Sequence, residues 1–519
     1  MSVRQSRSPD NPGHEDSQQP RRNVKAGSKK RETSNADFLW INVQDEDPHD
    51  RDASREKQAF IRTRHHRLRK ESKLRSSEST TEAQSHYDSP ATEDSSSQSE
   101  DDQYVSSTKE QSPPLCQPLD QSIALAFPYL ARTTNQSMTM YLQHYQAHAT
   151  KLCFPIGDTH ITFRYLRMAL DHPALIQILL STSAFHRATL HHVSGAPSQM
   201  IRSSTQDAIR LRSDTIKSIQ GILVEPYKFY SEITLRVIAH IMCVEAAEAN
   251  MQAVHAHERA IKKIIDGLGG LDNLGYDSLS ILHVCDLMRG LTSDTPLQLN
   301  KSWKWELKVR TECLFLHEEH EIPPSSFVGR RFFNSPWSAG LHPQLVPTLR
   351  SLQKLVSLYE GVTSSTWTQT RMDNDGLLLL DHELLAIAHD CSLPAFQDTL
   401  RLTVLIYTVV RIRGFSGMPC ADIFVDTLRR SLQRSFLFLD GNAPDLLLWI
   451  FFIGSLASRG RRYHAWFLLR LQVAARKLSL EQWDRAVLVL QEYLFVYRPT
   501  DGFVKEMWEF AMREKVVEV

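Results

Sequence analysis

The chain has 519 residues, 41% of them hydrophobic, with 60 Lys plus Arg against 60 Asp plus Glu. That length accommodates one to three domains. The most apolar run, 446–457, falls well short of the roughly 20 residues needed to cross a bilayer, so no membrane contact is expected, and no apolar core of a secretory leader occurs in the first 30 residues. The seven cysteines lie at least 28 residues apart, which excludes a local zinc ligand set and a disulfide framework and suits a reducing compartment.

The neutral total hides an asymmetry. Residues 1–75 carry 18 basic and 12 acidic side chains, whereas residues 76–112 carry nine acidic side chains and only Lys109 in opposition. Residues 1–53 read as a disordered arm, too polar to bury itself, with one apolar island at 37–43. Within it, Lys29, Lys30 and Arg31 resemble a nuclear import signal read by an import receptor. Residues 54–75 have high helix propensity, and seven cations crowd into 62–75: Arg62, Arg64, Arg67, Arg69, Lys70, Lys73 and Arg75. They point almost all round the helix axis, so this helix has no face to bury and would gain order on a polyanion such as duplex DNA, through phosphates. Residues 76–114 form a Ser-rich acidic linker, also expected to be disordered.

From residue 115 to 519 the pattern is helical. Apolar residues three, four and seven apart recur at Ile209, Ile216, Ile219 and Leu223, at Ile233, Val237, Ile241 and Val244, and at Val254, Ile261, Ile264 and Ile265. A glycine-rich break at 267–275 suits positive φ, and Asp277 or Ser278 is placed to cap the next helix, which carries Leu279, Leu282, Cys285 and Met288. Further helices are expected over 138–151, 171–191, 297–316, 344–359, 377–388, 396–413, 421–439, 444–457 and 462–476, then from a Ser479–Gln482 capping box to Pro499, and over 503–512. Strand alternation is scarce. The body is expected to be an all-α, irregular multi-helix domain with no short repeat.

Reaction chemistry is sparse. His317, Glu318, Glu319 and His320 have the wrong spacing for a zinc protease, and His382, Glu383 and His389 are also misspaced. His144 and His148 sit four apart, but no third ligand is evident. His255, His257 and Glu258 suit a solvated or salt-bridged helix face. The glycines at 267–270 fail the dinucleotide fingerprint, and 414–417 is not a nucleophile elbow. No catalytic residue, metal or cofactor is expected, and the chain is read as a non-enzyme. An α-helical enzyme with an unrecognised site is the least favoured alternative.

Residues 150–295 resemble the regulatory region of fungal zinc binuclear cluster transcription factors, the fungal-specific transcription factor domain. The resemblance rests on Leu152-Cys153-Phe154-Pro155, His172-Pro173-Ala174-Leu175, Ser183-Ala184-Phe185-His186, His257-Glu258-Arg259-Ala260-Ile261 and Gly267-Leu268-Gly269-Gly270-Leu271. The tail matches at Leu446-Leu447-Leu448-Trp449, Trp466-Phe467 and Trp483, so the likeness spans about 120–515. Trp40-Ile41-Asn42-Val43, Ile61-Arg62 and Arg69-Lys70 are similar to a block in fungal proteins that carry this domain without the zinc cluster. The resemblance implies nuclear residence and transcription regulation, sometimes of a metabolic gene cluster. The family's DNA reader needs six clustered cysteines, and none precedes Cys116. The alternative is a partner-binding module, dimerising with itself or with another protein, that never touches DNA.

Overall fold

Every residue from Ser278 to Gly290 is buried, which makes one helix the axis on which its neighbours pack. The computed structural model describes residues 136–513, apart from 157–158, 224–225, 294–296, 300, 318–326, 360–370, 391 and 499–500. The expectations for 1–135 lie outside the described residues. Helices and irregular connections make up the described part, with no strand among the described residues. The all-α expectation therefore holds.

The longer helices, in chain order, are α1 (Gln136–Ala147), α2 (Thr159–Leu170), α3 (Pro173–Val193), α4 (Ser198–Leu223), α5 (Glu232–Ala247), α6 (Met251–Gly267), α7 (Tyr276–Ser293) and α8 (Trp303–Glu312). They continue as α9 (Leu345–Tyr359), α10 (Arg371–Asp390), α11 (Ala395–Tyr407), α12 (Ala421–Asn442), α13 (Pro444–Ala457), α14 (His464–Lys477), α15 (Trp483–Gln491) and α16 (Gly502–Arg513). Neighbours in sequence are mostly neighbours in space: α3 lies along α4, α5 packs on both α6 and α7, α7 meets α10, and α11 to α14 follow one another. No helix among the described residues is long and apolar enough to cross a membrane.

The second fully buried helix is α13. Pro444 opens it, where a missing N–H costs nothing, and all of 446–457 is buried. Gly454 is required there, because a Cβ would sit 2.1 Å from the Phe467 ring of α14.

Several expectations need correction. The apolar stripe of α4 was placed through Ile209, yet Ile209 is 47% exposed. The buried face runs instead through Ser204, Ala208, Leu211, Arg212, Thr215 and Ile219, because polar residues of that face find partners. Arg212 reaches Glu248 at 2.7 Å and Glu245 at 3.3 Å on α5. Ser278 lies inside α7 rather than capping it, and its hydroxyl donates to Glu232. The helix expected over 396–413 changes at Thr408 into a π turn ending at Ile412.

The Ser479–Gln482 capping box is also absent, since Gln482 is the N-cap of α15 and makes no side-chain cap bond. Ser479 serves the preceding helix instead. It sits at φ 54°, with Leu480 N–H donating to Ala475 C=O and Ser479 N–H to Arg476 C=O, a Schellman end for α14. The same motif closes α6 at Gly269 and α5 at Ala249, where φ is 61°.

An alanine in the left-handed region crowds its Cβ against the following carbonyl. Ala249→Gly should therefore raise stability by about 0.5–1 kcal/mol after the extra unfolded-chain entropy of glycine is counted. A higher thermal midpoint checks this, and an unchanged or lower one refutes it.

Candidate functional site

The residue types that do chemistry in helical proteins are mostly sealed inside this body. His144 of α1 does gain a third histidine in space, because its Nε2 lies 3.1 Å from Nδ1 of His186 on α3, with the His148 ring 5.0 Å away. The two rings share a hydrogen bond instead of facing a common ion, and no group of three or more potential ligands suited to a metal occurs among the described residues. Burial lowers the His144 pKa to about 3 and that of His186 to about 4, with neighbouring imidazoles adding to the effect.

A second buried set joins α7, α8 and α10. The His283 ring lies 4.3 Å from Trp305 and 5.2 Å from His382, and His382 Nε2–H donates to the His283 carbonyl at 2.8 Å. Burial holds His382 near 4 and His283 well below its usual range. His240 bonds the Tyr165 hydroxyl and is held near 3 by burial. His257, expected on a solvated or salt-bridged face, is instead buried and held near 3, whereas His255 and Glu258 do form surface pairs, the latter with Lys262. Glu383 pairs with Arg310 at 2.6 Å, and His317 Nε2 contacts the Arg310 carbonyl, so neither belongs to a ligand set.

A surface depression of about 380 Å³ lies over 332–350, and its one ionisable lining side chain, Arg350, is stacked on Phe333 at 4.5 Å. Nothing in it pairs a base with a nucleophile.

The outer surface offers a different chemistry on α12 and α14, whose contacting residues lie 34 to 37 apart in sequence. Arg429 lies 4.9 Å from the Tyr463 ring, Arg470 is 5.8 Å from the Phe436 ring, and Lys477 meets Asp440 at 2.7 Å. The contacts advance together along both helices, so the two run parallel and share an exposed seam. Arg462 also stacks on Tyr463 at 5.0 Å, and Arg470 on Trp466 at 5.7 Å. Arg430 and Arg434 are 56% and 68% exposed, and their pairs with Asp426 and Asp398 are of the weak surface kind. The same two helices also expose Leu437, at 88%, and Val473, at 47%. Guanidinium groups interleaved with apolar side chains suit a protein surface that is acidic and apolar in alternation. Each arginine read singly from the sequence looks like an ordinary solvated face; the pairing of two distant helices makes the patch, and no local pattern announced it.

The arm residues Arg62, Arg64, Arg67, Arg69, Lys70, Lys73 and Arg75, and the trio Lys29, Lys30 and Arg31, lie outside the described residues.

The buried imidazoles set a pH dependence. Their folded pKa values lie below the unfolded value near 6.5, so the stability they contribute is present above that value and is lost as pH falls toward 4. Each should cost about 2 kcal/mol on going from pH 7 to pH 5. Glu245 and Asp381, whose carboxyls burial pushes up, offset part of this. The thermal midpoint followed by circular dichroism should fall steeply between pH 7 and 5, and a flat profile would contradict the assignment.

Compared with known families, residues 140–493 match the one described as fungal specific transcription factor domain. No curated protein and no solved structure gives a significant match.

Proposed function

Because the chain belongs to the fungal specific transcription factor domain family, we propose that it is a nuclear regulator whose helical body receives protein partners while its basic arm supplies contact with DNA. The family makes it a transcription regulator and points away from an enzyme. The single observation that carries the fuller reading is the division of chemistry in the body. His186, His240, His257, His283 and His382 and the carboxyls of Glu245 and Asp381 are enclosed, while Arg430, Arg434, Leu437 and Val473 are presented outward. Such a body suits contact rather than turnover.

The domain plan behind this reading is an arm at 1–53, a basic segment at 54–75, an acidic linker at 76–114 and the regulatory body from 115 on. The six cysteines of the family's zinc cluster have no counterpart before Cys116 in this sequence, so DNA contact falls to Arg62, Arg64, Arg67, Arg69, Lys70, Lys73 and Arg75. Such contact runs through phosphates and positions without specifying sequence. Lys29, Lys30 and Arg31 would engage an import receptor. Control of a metabolic gene cluster is the role the family relation favours for such a chain.

A second reading is favoured by the exposed faces of α12 and α14. Exposed Leu437 and Val473 are poorly matched to a phosphate backbone and well matched to a protein, either a separate factor or a second copy. The body would then reach promoters only through that partner.

Two measurements separate the readings. Full-length chain binding duplex DNA with about five phosphates engaged should show a log–log salt slope near −4.5, and no binding at low salt removes direct contact. Genome-wide chromatin occupancy, measured with residues 54–75 deleted and an independent import signal attached, should fall if the arm holds DNA. Retained occupancy favours the partner route.

A further inference from the structure

Spacing along the chain separates Cys243 and Cys285 by 42 residues, but the packing of α5 on α7 brings their sulfurs to 2.9 Å. Both thiols are free, Cys243 half-buried and Cys285 buried. The Cys285 thiol donates to the Ala239 carbonyl at 3.0 Å, which fixes its rotamer toward α5. A disulfide needs sulfurs at about 2.05 Å, so closure requires the two sulfurs to approach by under about 1 Å.

We propose that Cys243 and Cys285 form a reversible dithiol–disulfide site, oxidised by a hydroperoxide, that clamps α5 to α7 at the centre of the body. Cys243 is the half-buried member and takes the first step. Its sulfur, as thiolate, attacks the terminal peroxide oxygen; the O–O bond breaks, the alcohol or water leaves, and Cys243 becomes a sulfenic acid. The Cys285 sulfur then attacks the Cys243 sulfur. The S–O bond breaks, hydroxide leaves as water with the proton given up by Cys285, and the disulfide forms. The two sulfurs lose two electrons in all, and the peroxide gains two. A dithiol reductant reverses the change.

Burial pushes the Cys285 thiol well up, with Cys243 beside it adding to the effect, so Cys285 serves as the resolving thiol rather than the first attacker. Cys153 is the third thiol near the pair, half-buried at the end of the turn Ala149–Leu152. It is not hydrogen-bonded to either sulfur, and the site does not need it. The clamp is independent of whether the chain touches DNA, so its failure would leave the proposed function standing.

The test uses the full-length chain treated with excess hydrogen peroxide, then alkylated and mapped by mass spectrometry without reduction. The expected product is a 243–285 linked peptide pair, lighter by two hydrogens, lost on dithiothreitol treatment and accompanied by a thermal midpoint several degrees higher. Cys153→Ser should keep the link and Cys243→Ser abolish it. Should Cys243→Ser fail to fold, the wild-type map decides alone. Full alkylation of both cysteines after peroxide, over-oxidation of Cys243 without a link, or a link mapping to Cys153 would each overturn the proposal.

Discussion

The fold turns on one ion pair in a dry interior. Arg413 is 1% exposed and Asp381 is fully enclosed, and their closest approach is 2.9 Å. Two charges taken from water are costly unless their remaining donors and acceptors are met. Here they are: Asp381 also accepts from the Thr408 hydroxyl at 2.7 Å, and Arg413 also donates to the Cys153 carbonyl at 3.3 Å. Burial pushes the Asp381 carboxyl up while the guanidinium pulls it back. An apolar pair of equal volume could be as stable. What the ion pair adds is position, since its bonds tie α10, the segment after α11 and the chain around Cys153 to one another.

Helix α10 repeats this device along its length. Asn374 accepts from Ile156 N–H and donates to the Ile156 carbonyl, at 2.8 and 2.6 Å, holding an irregular segment as a strand neighbour would. Asp375 accepts from the Tyr276 and Ser280 hydroxyls of α7. His382 bonds the backbone of α7 at His283. These polar side chains are directed at the segment around Ile156, at α7 and at the turn after α11, so α10 sets the register of elements that apolar packing alone would let slide. The π turn after α11 belongs to the same logic. The wider turn ends with Arg413 N–H on the Thr408 carbonyl, and the side chain that follows faces Asp381.

This explains what periodicity revealed and what it hid. Helix α13 is legible to the residue because only Ser455 interrupts its apolar run and a proline marks its start. Helix α10 begins at Arg371 rather than at the expected 377, and Asp373, Asn374 and Asp375 in its first turns are buried. The stripe on α4 was misplaced for the same reason, because Arg212 and Thr215 occupy the inner face while Ile209 does not. Burial of a polar residue depends on a partner far along the chain, and no local window contains that partner. His257 and the Cys243–Cys285 contact were invisible on the same ground.

The outer seam between α12 and α14 follows from those inner constraints. Helix α13 is apolar all round and must be wrapped, so α12 and α14 flank it and are brought parallel to each other. Their inner faces are spent on that burial, with Phe467 seated against Gly454. The arginines, excluded from the core, collect on the two outward flanks, where Tyr463, Trp466 and Phe436 shelter their guanidinium faces. A stacked guanidinium keeps its edge donors free while its plane is covered, so less freedom remains to be lost when a carboxylate arrives. The fully buried helix thus dictates where these arginines stand, and the core packing and the outward seam are consequences of the same apolar sequence.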